Sequence, residues 1–368
     1  MEKKTKIIIA GGGTGGHIFP AVAIANALKR LKPELDILFI GANGKMEMEK
    51  VPEAGYDIKG IDMAGLNRSS MLKNLSLPFK LIKSYFQVKN IFKEFMPDAV
   101  IGVGGYSTFP VLRYAQKQDI PTYIHESNSF AGKSNIMLGK GARKIFVASD
   151  GMEKFFPAEK IMITGNPVRK NIVESTIGKK EALQFFHLQP DKKTILVVGG
   201  SLGAKSINDT IARHIPDIKT LDIQLIWQTG KNNAEEYARL ANYAKENVYI
   251  STFISDMDKA YAAADVVVAR AGAMTVSELC VVKKPVIFVP YPFAAEDHQT
   301  MNAKNLADKN AAMLIADNEV VAKLYPAVTE LLFNEDKQQQ MIENNAKLAV
   351  TNANEVIASE ILKEIYTV

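Results

Sequence analysis

Short apolar runs alternate with amphipathic stretches along the whole chain. KIIIA (6–10) has no polar face, and PAVAIANALKRL after it spaces its apolar positions as a helix does. DILFIG (36–41), DAVIGVGG (98–105), PTYIHE (121–126) and KIFVAS (144–149) continue the series. A strand that is apolar on both faces must be covered on both, so this alternation predicts a parallel sheet between helical layers. The pattern restarts at TILVVGGSLGAKSIN (194–208) and runs through DIQLIWQTG (222–230), VYISTFI (248–254), ADVVVARAG (264–272) and PVIFVPYP (285–292). Two doubly wound α/β units are therefore expected. The joint falls in ITGNPVRKNIVES (163–175), where Gly-Asn-Pro interrupts the pattern. The expected organisation is 1–165, 166–340, and a C-terminal helix over 341–368 that returns to the first unit. Strand ends facing each other across two such units would frame a ligand cleft.

Composition adds limits. At 368 residues, 47% apolar and 23% charged, the chain has the makeup of a globular protein with room for two cores. One cysteine, Cys280, excludes an internal disulfide or a Cys-rich zinc site and suits a reducing compartment. The apolar run after the basic N-terminus lasts four residues, too short for a signal peptide, and no run approaches a membrane span. The net charge of +5 is uneven: residues 1–165 carry 23 Lys and Arg against 15 Asp and Glu. An anionic partner on the first half is one reading, and scattered surface lysines the other.

Three glycine-rich turns follow predicted strands: GGGTGGH (11–17), GVGGYSTFP (102–110) and GGSLGAKS (199–206). Glycine lets the backbone turn tightly, and a helix N-terminus favours anions. Gly11, Gly13 and Gly16 spell the dinucleotide fingerprint. That fingerprint also wants an acid at the C-terminal end of the second strand for the ribose. Here the strand ends in Gly41-Ala42-Asn43, and Asp36 lies at its other end, so a nicotinamide cofactor is not expected. None of the three glycine-rich turns ends in Gly-Lys-Ser/Thr, and Gly132-Lys133-Ser134 has Ser127 in place of the pattern's first glycine, so a Walker A site is not expected either.

Read in order, GGTGGHIFP, GVGGYSTFP, HESNSFAGKSN, GNPVR, GGSLGAKSIN and RAGAMTVSE span most of the chain, and together they resemble the MurG family of N-acetylglucosaminyltransferases. The resemblance implies a GT-B fold, two Rossmann-like domains facing across a cleft. It implies an inverting transfer of GlcNAc from UDP-GlcNAc to the 4-hydroxyl of MurNAc in a lipid-linked acceptor, converting lipid I to lipid II with a β-1,4 bond. It places the enzyme peripherally on the cytoplasmic face of the cell membrane, with cell-wall synthesis proteins as candidate partners. No cofactor and no essential metal are implied.

Donor contacts carry over by position. The resemblance assigns Ser201 to the UDP phosphates, with a helix N-cap as the competing role. It assigns Ala273, Met274 and Thr275 to the turn beside the diphosphate, with Met274 where leucine is common, and counts Val276 and Ser277 among the substrate-binding residues. Thr275 and Glu278 also spell a capping box, a structural role; the resemblance instead gives Glu278 to the ribose hydroxyls. It implies a uracil contact from the backbone of Ile254 and donor contacts from Arg169, Gln299 and Asn128. Some relatives have Gln-Gln where this chain has His298-Gln299, so the sugar contact carries over only at 299. Thr14, Gly15 and Gly16 are expected at the substrate and Tyr106 at the acceptor. The first two glycine loops are candidates for the acceptor's pyrophosphate. Asp256-Met257-Asp258 fits a helix's first turn better than a metal motif.

The reaction needs a base for the attacking hydroxyl and stabilisation of the leaving UDP. His17, directly after the first loop, is the leading base, with Glu126 and His125 as alternatives. In 74–95, Leu75, Leu77, Phe79, Leu81, Ile82, Tyr85 and Phe86 alternate with lysines that extend over 73–93, the pattern of a helix lying on an anionic membrane. Helical spacing also fits a core face, so a split is expected, with the 75–86 edge outward. The rivals are a UDP-sugar epimerase of similar shape, a non-catalytic sugar-nucleotide binder and a nucleic-acid-binding module. The last lacks any recognisable motif, so no nucleic acid is expected.

Overall fold

The computed structural model describes residues 4–63, 77–232 and 234–367. The chain divides into two compact units, Met1–Arg169 with Thr351–Val368, and Lys170–Val350. Among the described residues the first unit has seven strands: β1 (Lys6–Ala10), β2 (Asp36–Ala42), β3 (Asp57–Ile61), β4 (Ala99–Gly102), β5 (Thr122–Glu126), β6 (Lys144–Val147) and β7 (Ile161–Ile163). They form one parallel sheet in the order β3-β2-β1-β4-β5-β6-β7. The second unit has β8 (Thr194–Val198), β9 (Gln224–Gln228), β10 (Val248–Ser251), β11 (Val266–Ala269), β12 (Val286–Phe288) and β13 (Met313–Leu314). Their order is β10-β9-β8-β11-β12-β13, again all parallel.

The two-faced apolar strands have the expected consequence. In β1, Ile7 and Ile9 pack with Ile24 and Leu28 of the helix Gly15–Leu31, while Ile8 and Ala10 pack with Val88, Phe92, Val111 and Leu112 on the other face. In the second unit Ile195, Val197, Val266 and Val268 pack against Ile207, Ile211, Leu324 and Val328. Each unit reverses strand direction of growth once, at β1/β4 and at β8/β11. The helices that follow such a pair leave to opposite faces, and the strand C-termini between them bear a crevice.

The C-terminal region differs from the single helix expected over 341–368. It is two helices, Glu335–Leu348 and Ala353–Tyr366, and the division between units falls at Val350/Thr351 rather than at 340/341. The break is local: Ala349 is extended, and the β-branched pair Val350-Thr351 is followed by Asn352 at the N-cap position. The last helix lies along Gly15–Leu31, burying Ile357, Ala358, Ile361 and Leu362 with the first unit's core. Lys144 pairs with Glu360, and Arg30 with Glu355 at 2.5 Å.

Candidate functional site

In the first unit the glycine loops after β1 and β4 meet at the switch point. Gly12 N–H donates to Gly104 O at 3.2 Å. A Cβ on Gly105 would lie 2.3 Å from Gly12 O, so the contact requires glycine there, and its φ of 93° favours glycine as well. Thr14 is the extended N-cap of Gly15–Leu31, without a side-chain cap bond. His17 stands in the first turn, and its Nδ1 donates to Gly12 O at 3.1 Å. A carbonyl can only accept, so Nδ1 carries the proton and the neutral ring has its lone pair on Nε2. Nε2 points toward the second loop: a Cβ on Gly104 would lie 2.8 Å from it. Tyr106 in that loop is exposed.

The other base candidates stand differently. The Glu126 carboxylate is buried and accepts four bonds from its own loop. Asn128 N and Nδ2 reach Oε1 at 3.1 and 3.2 Å, while Gly132 N and Asn135 Nδ2 reach Oε2 at 3.1 and 2.8 Å. It therefore shapes the segment 126–135 that carries Asn128, and protonating it would break that arrangement. His125 is wholly buried, and desolvation pushes its pKa down to about 4. The Arg169 guanidinium stacks 5.0 Å from the centre of the Phe19 ring.

In the second unit the loop after β8 turns through Gly200 and Gly203, both at positive φ, and packs on the loop after β9. A Cβ on Gly203 would lie 2.2 Å from Thr229 O. Lys231 N–H donates to Ser201 O at 3.1 Å. Ser201 is not the helix cap: Lys205–Arg213 starts after Ala204, three residues on, which leaves the serine in the turn itself. The helix Ala273–Val282 has Gly272 as its N-cap with no side-chain cap bond. Thr275 is thus already inside the helix, and the capping box spelled by Thr275 and Glu278 does not form. Glu278 is buried and accepts from Tyr261 Oη at 3.0 Å. Met274 and Val276 are buried, so their side chains serve the core; Ala273, Thr275 and Ser277 are half-buried.

Ile254 is buried, and its N–H donates to Gln228 Oε1 at 2.9 Å, which assigns that N–H to the protein itself. Gln299 Oε1 accepts from Tyr291 N at 2.9 Å, and His298 begins the helix His298–Ala307. Two successive residues before it, Glu296 and Asp297, hold φ of 52° and 53°, a costly conformation for side-chain-bearing residues. Asp256 caps Met257–Ala263 by position and accepts from Lys259 Nζ, with Asp258 in the first turn.

Four residues at these sites were not singled out from the sequence, although Asn208 ends GGSLGAKSIN and Arg270 opens RAGAMTVSE. Glu47, buried, accepts from Gly13 N and Ala42 N. Gln228 holds Ile254. Asn208 ties Trp227 Nε1 to Thr229 O. Arg270, directly after β11, binds Asp317, Ser206 and the carbonyls of Val289 and Pro290. Their role is visible only once distant segments are together, although RAG at the end of a strand marks Arg270 as a residue at the crevice.

Of the basic-apolar stretch, 73–76 lie outside the described residues. Leu77–Phe95 is a helix, and its described side chains begin at Lys83. Val88, Ile91 and Phe92 are buried, whereas Tyr85 is 39% and Phe86 55% exposed and Lys83 and Lys93 face solvent. No helix among the described residues is long and apolar enough to cross a membrane.

Residues 7–147 match the glycosyltransferase family 28 N-terminal domain, and 194–357 the family's C-terminal domain. The UDP-N-acetylglucosamine–N-acetylmuramyl-(pentapeptide) pyrophosphoryl-undecaprenol N-acetylglucosamine transferase of Bacteroides thetaiotaomicron is 50% identical over 99% of this chain and 98% of its own length. The protein of the same name from Cytophaga hutchinsonii is 47% identical over 100% and 98%. Among solved structures, Acinetobacter baumannii MurG aligns with a TM-score of 0.74 at 32% identity, covering 98% of this chain and 99% of that one. A UDP-GlcNAc 2-epimerase from Neisseria meningitidis shares the fold at 16% identity, with a TM-score of 0.65 over 98% of this chain and 100% of that one.

Proposed function

Since the chain belongs to the MurG family within glycosyltransferase family 28, we propose that it transfers GlcNAc from UDP-GlcNAc to the 4-hydroxyl of MurNAc in undecaprenyl-pyrophosphoryl-MurNAc-pentapeptide. The observation that carries this reading is near-full-length identity of about half to transferases of that name, with glycine loops at both switch points. The distant likeness to epimerases concerns the fold alone.

Donor recognition belongs to the second unit. N–H groups opening Ala273–Val282 and the Ser201 turn receive the diphosphate, where dipole and unpaired donors favour anionic oxygens. The Glu278 carboxylate takes the ribose hydroxyls, the backbone around Ile254 the uracil, and Gln299 the sugar. With the Ile254 N–H already given to Gln228, its carbonyl is the natural partner for uracil N–H. In the first unit Asn128, Arg169 and the turn Thr14-Gly15-Gly16 attend the sugar and leaving group, and Tyr106 the acceptor.

His17 Nε2 takes the proton of the MurNAc 4-hydroxyl as its oxygen attacks C1 of GlcNAc. The C1–O bond to UDP breaks, UDP leaves with the electron pair, and inversion gives the β-1,4 linkage. Glu126 acts by holding Asn128 and the 126–135 loop rather than as the base. We also infer that the exposed edge of Leu77–Phe95 docks on an anionic membrane surface, bringing the enzyme to its lipid-linked acceptor.

Replacing His17 by Ala tests the base. Turnover should fall roughly a hundredfold or more, while UDP-GlcNAc affinity, measured by calorimetry, stays near that of the parent. Near-normal turnover would remove His17 from this role.

A further inference from the structure

The first glycine loop encloses a carboxylate that the proposed chemistry does not use. Glu47 opens the helix Glu47–Glu53 and is buried. Its Oε1 accepts Ala42 N–H at 3.0 Å and its Oε2 accepts Gly13 N–H at 2.7 Å. Two glycines give it room: a Cβ on Gly12 would lie 2.2 Å from its Cδ, and one on Gly41 2.4 Å from its Cγ. Gly13 N–H and Gly12 C=O are the two ends of one peptide group. The other end accepts His17 Nδ1 at 3.1 Å.

We propose that Glu47 is a positioning residue for His17, acting through the Gly12–Gly13 peptide. A carboxylate on the N–H end draws that hydrogen toward itself and leaves more negative charge on the carbonyl oxygen. The stronger acceptor holds the Nδ1–H tautomer and favours the imidazolium that forms when Nε2 takes a proton. His125 on β5 is neutral, because burial keeps its pKa near 4. The Glu126 carboxylate is turned to Asn128, Gly132 and Asn135. The second loop offers the Gly104 backbone. The same geometry removes Gly13 N–H from any substrate phosphate, so the first loop serves the histidine before it serves an anion.

This inference rests on His17 being the base, and the experiment separates the two. Glu47→Gln in the full chain removes the charge and turns an amide N–H₂ toward one backbone donor; Glu47→Asp keeps the charge. Steady-state turnover against pH and ¹⁵N NMR of the His17 ring are the readouts. For Glu47→Gln, kcat should fall about tenfold or more, a share of what a general base supplies, with KM for UDP-GlcNAc unchanged. The acidic limb of its kcat profile and the His17 titration should both move to lower pH. The parent ring should be the Nδ1–H tautomer. A purely structural Glu47 would lower the thermal midpoint and leave the acidic limb in place, which would overturn the proposal, as would an Nε2–H tautomer in the parent. If Glu47→Gln does not fold, Glu47→Asp carries the test: one methylene shorter, it cannot keep the 2.7 Å bond from Gly13 N–H and the 3.0 Å bond from Ala42 N–H together, so its limb should move partway toward lower pH, and a limb left at the parent pH would overturn the proposal. An inactive His17→Ala beside an unaltered Glu47→Gln sinks only the role of Glu47; an active His17→Ala sinks the base itself.

Discussion

At the scale of single residues, His17 and His125, both in the first unit, show how environment divides one side-chain type into two jobs. His17 sits in a helix's first turn with one nitrogen fixed by Gly12 O. His125 lies inside β5, where desolvation lowers its pKa from 6.5 to about 4 against the raising effect of a hydrogen bond to the Gly165 backbone. Between these values the unfolded chain binds a proton that the folded chain refuses, so His125 withdraws stability as pH falls from about 6.5 toward 4. The expected outcome for His125→Leu is a thermal midpoint that gains on the parent as pH drops from 7 to 4.5. A constant difference between the two proteins over that range would show that His125 is not held neutral. His17 itself was legible in the sequence because it directly follows a glycine loop. Glu47 was not, since nothing in GKMEMEK tells a surface acid from one whose carboxylate closes on Gly13, 34 residues away.

At the scale of elements, most strands were readable because they are apolar on both faces, and that requirement survives any choice of register; β3, where Asp57 and Lys59 are exposed, and the short β7 and β13 carry no such run and were not read. The helix starts were less so. Thr275 and Glu278 have the spelling of a capping box, yet the helix begins at Ala273, because Gly272 already supplies the extended cap. In Leu77–Phe95 the expected split can be followed only from Lys83 onward: Val88, Ile91 and Phe92 turn inward, and Tyr85 and Phe86 are exposed, while the side chains of the edge before Lys83 lie outside the described residues. An exposed phenylalanine among lysines has a specific consequence for membrane docking. Phe86→Ser removes most of a large apolar side chain, worth roughly 1.5–3 kcal/mol when fully buried, so binding to anionic vesicles should weaken several-fold or more in sedimentation while UDP-GlcNAc affinity holds. Undiminished binding, or equal binding to neutral vesicles, would contradict docking through this edge.

At the scale of the whole molecule, the chain crosses between its two units twice, at 169/170 and 350/351, and the last helix completes the core of the first. The proposed chemistry is divided in the same way: the base and acceptor residues belong to the unit rich in lysine and arginine, and most donor residues to the other. The central claim is the transfer itself. Radiolabelled UDP-GlcNAc incubated with the purified chain and a lipid-linked MurNAc-pentapeptide acceptor, with the product's linkage read by NMR, tests it most directly. The account predicts acceptor-dependent release of UDP and a β-1,4-linked GlcNAc–MurNAc product. Recovery of an epimerised sugar nucleotide, or no transfer to the acceptor by folded enzyme that binds UDP-GlcNAc, would contradict it.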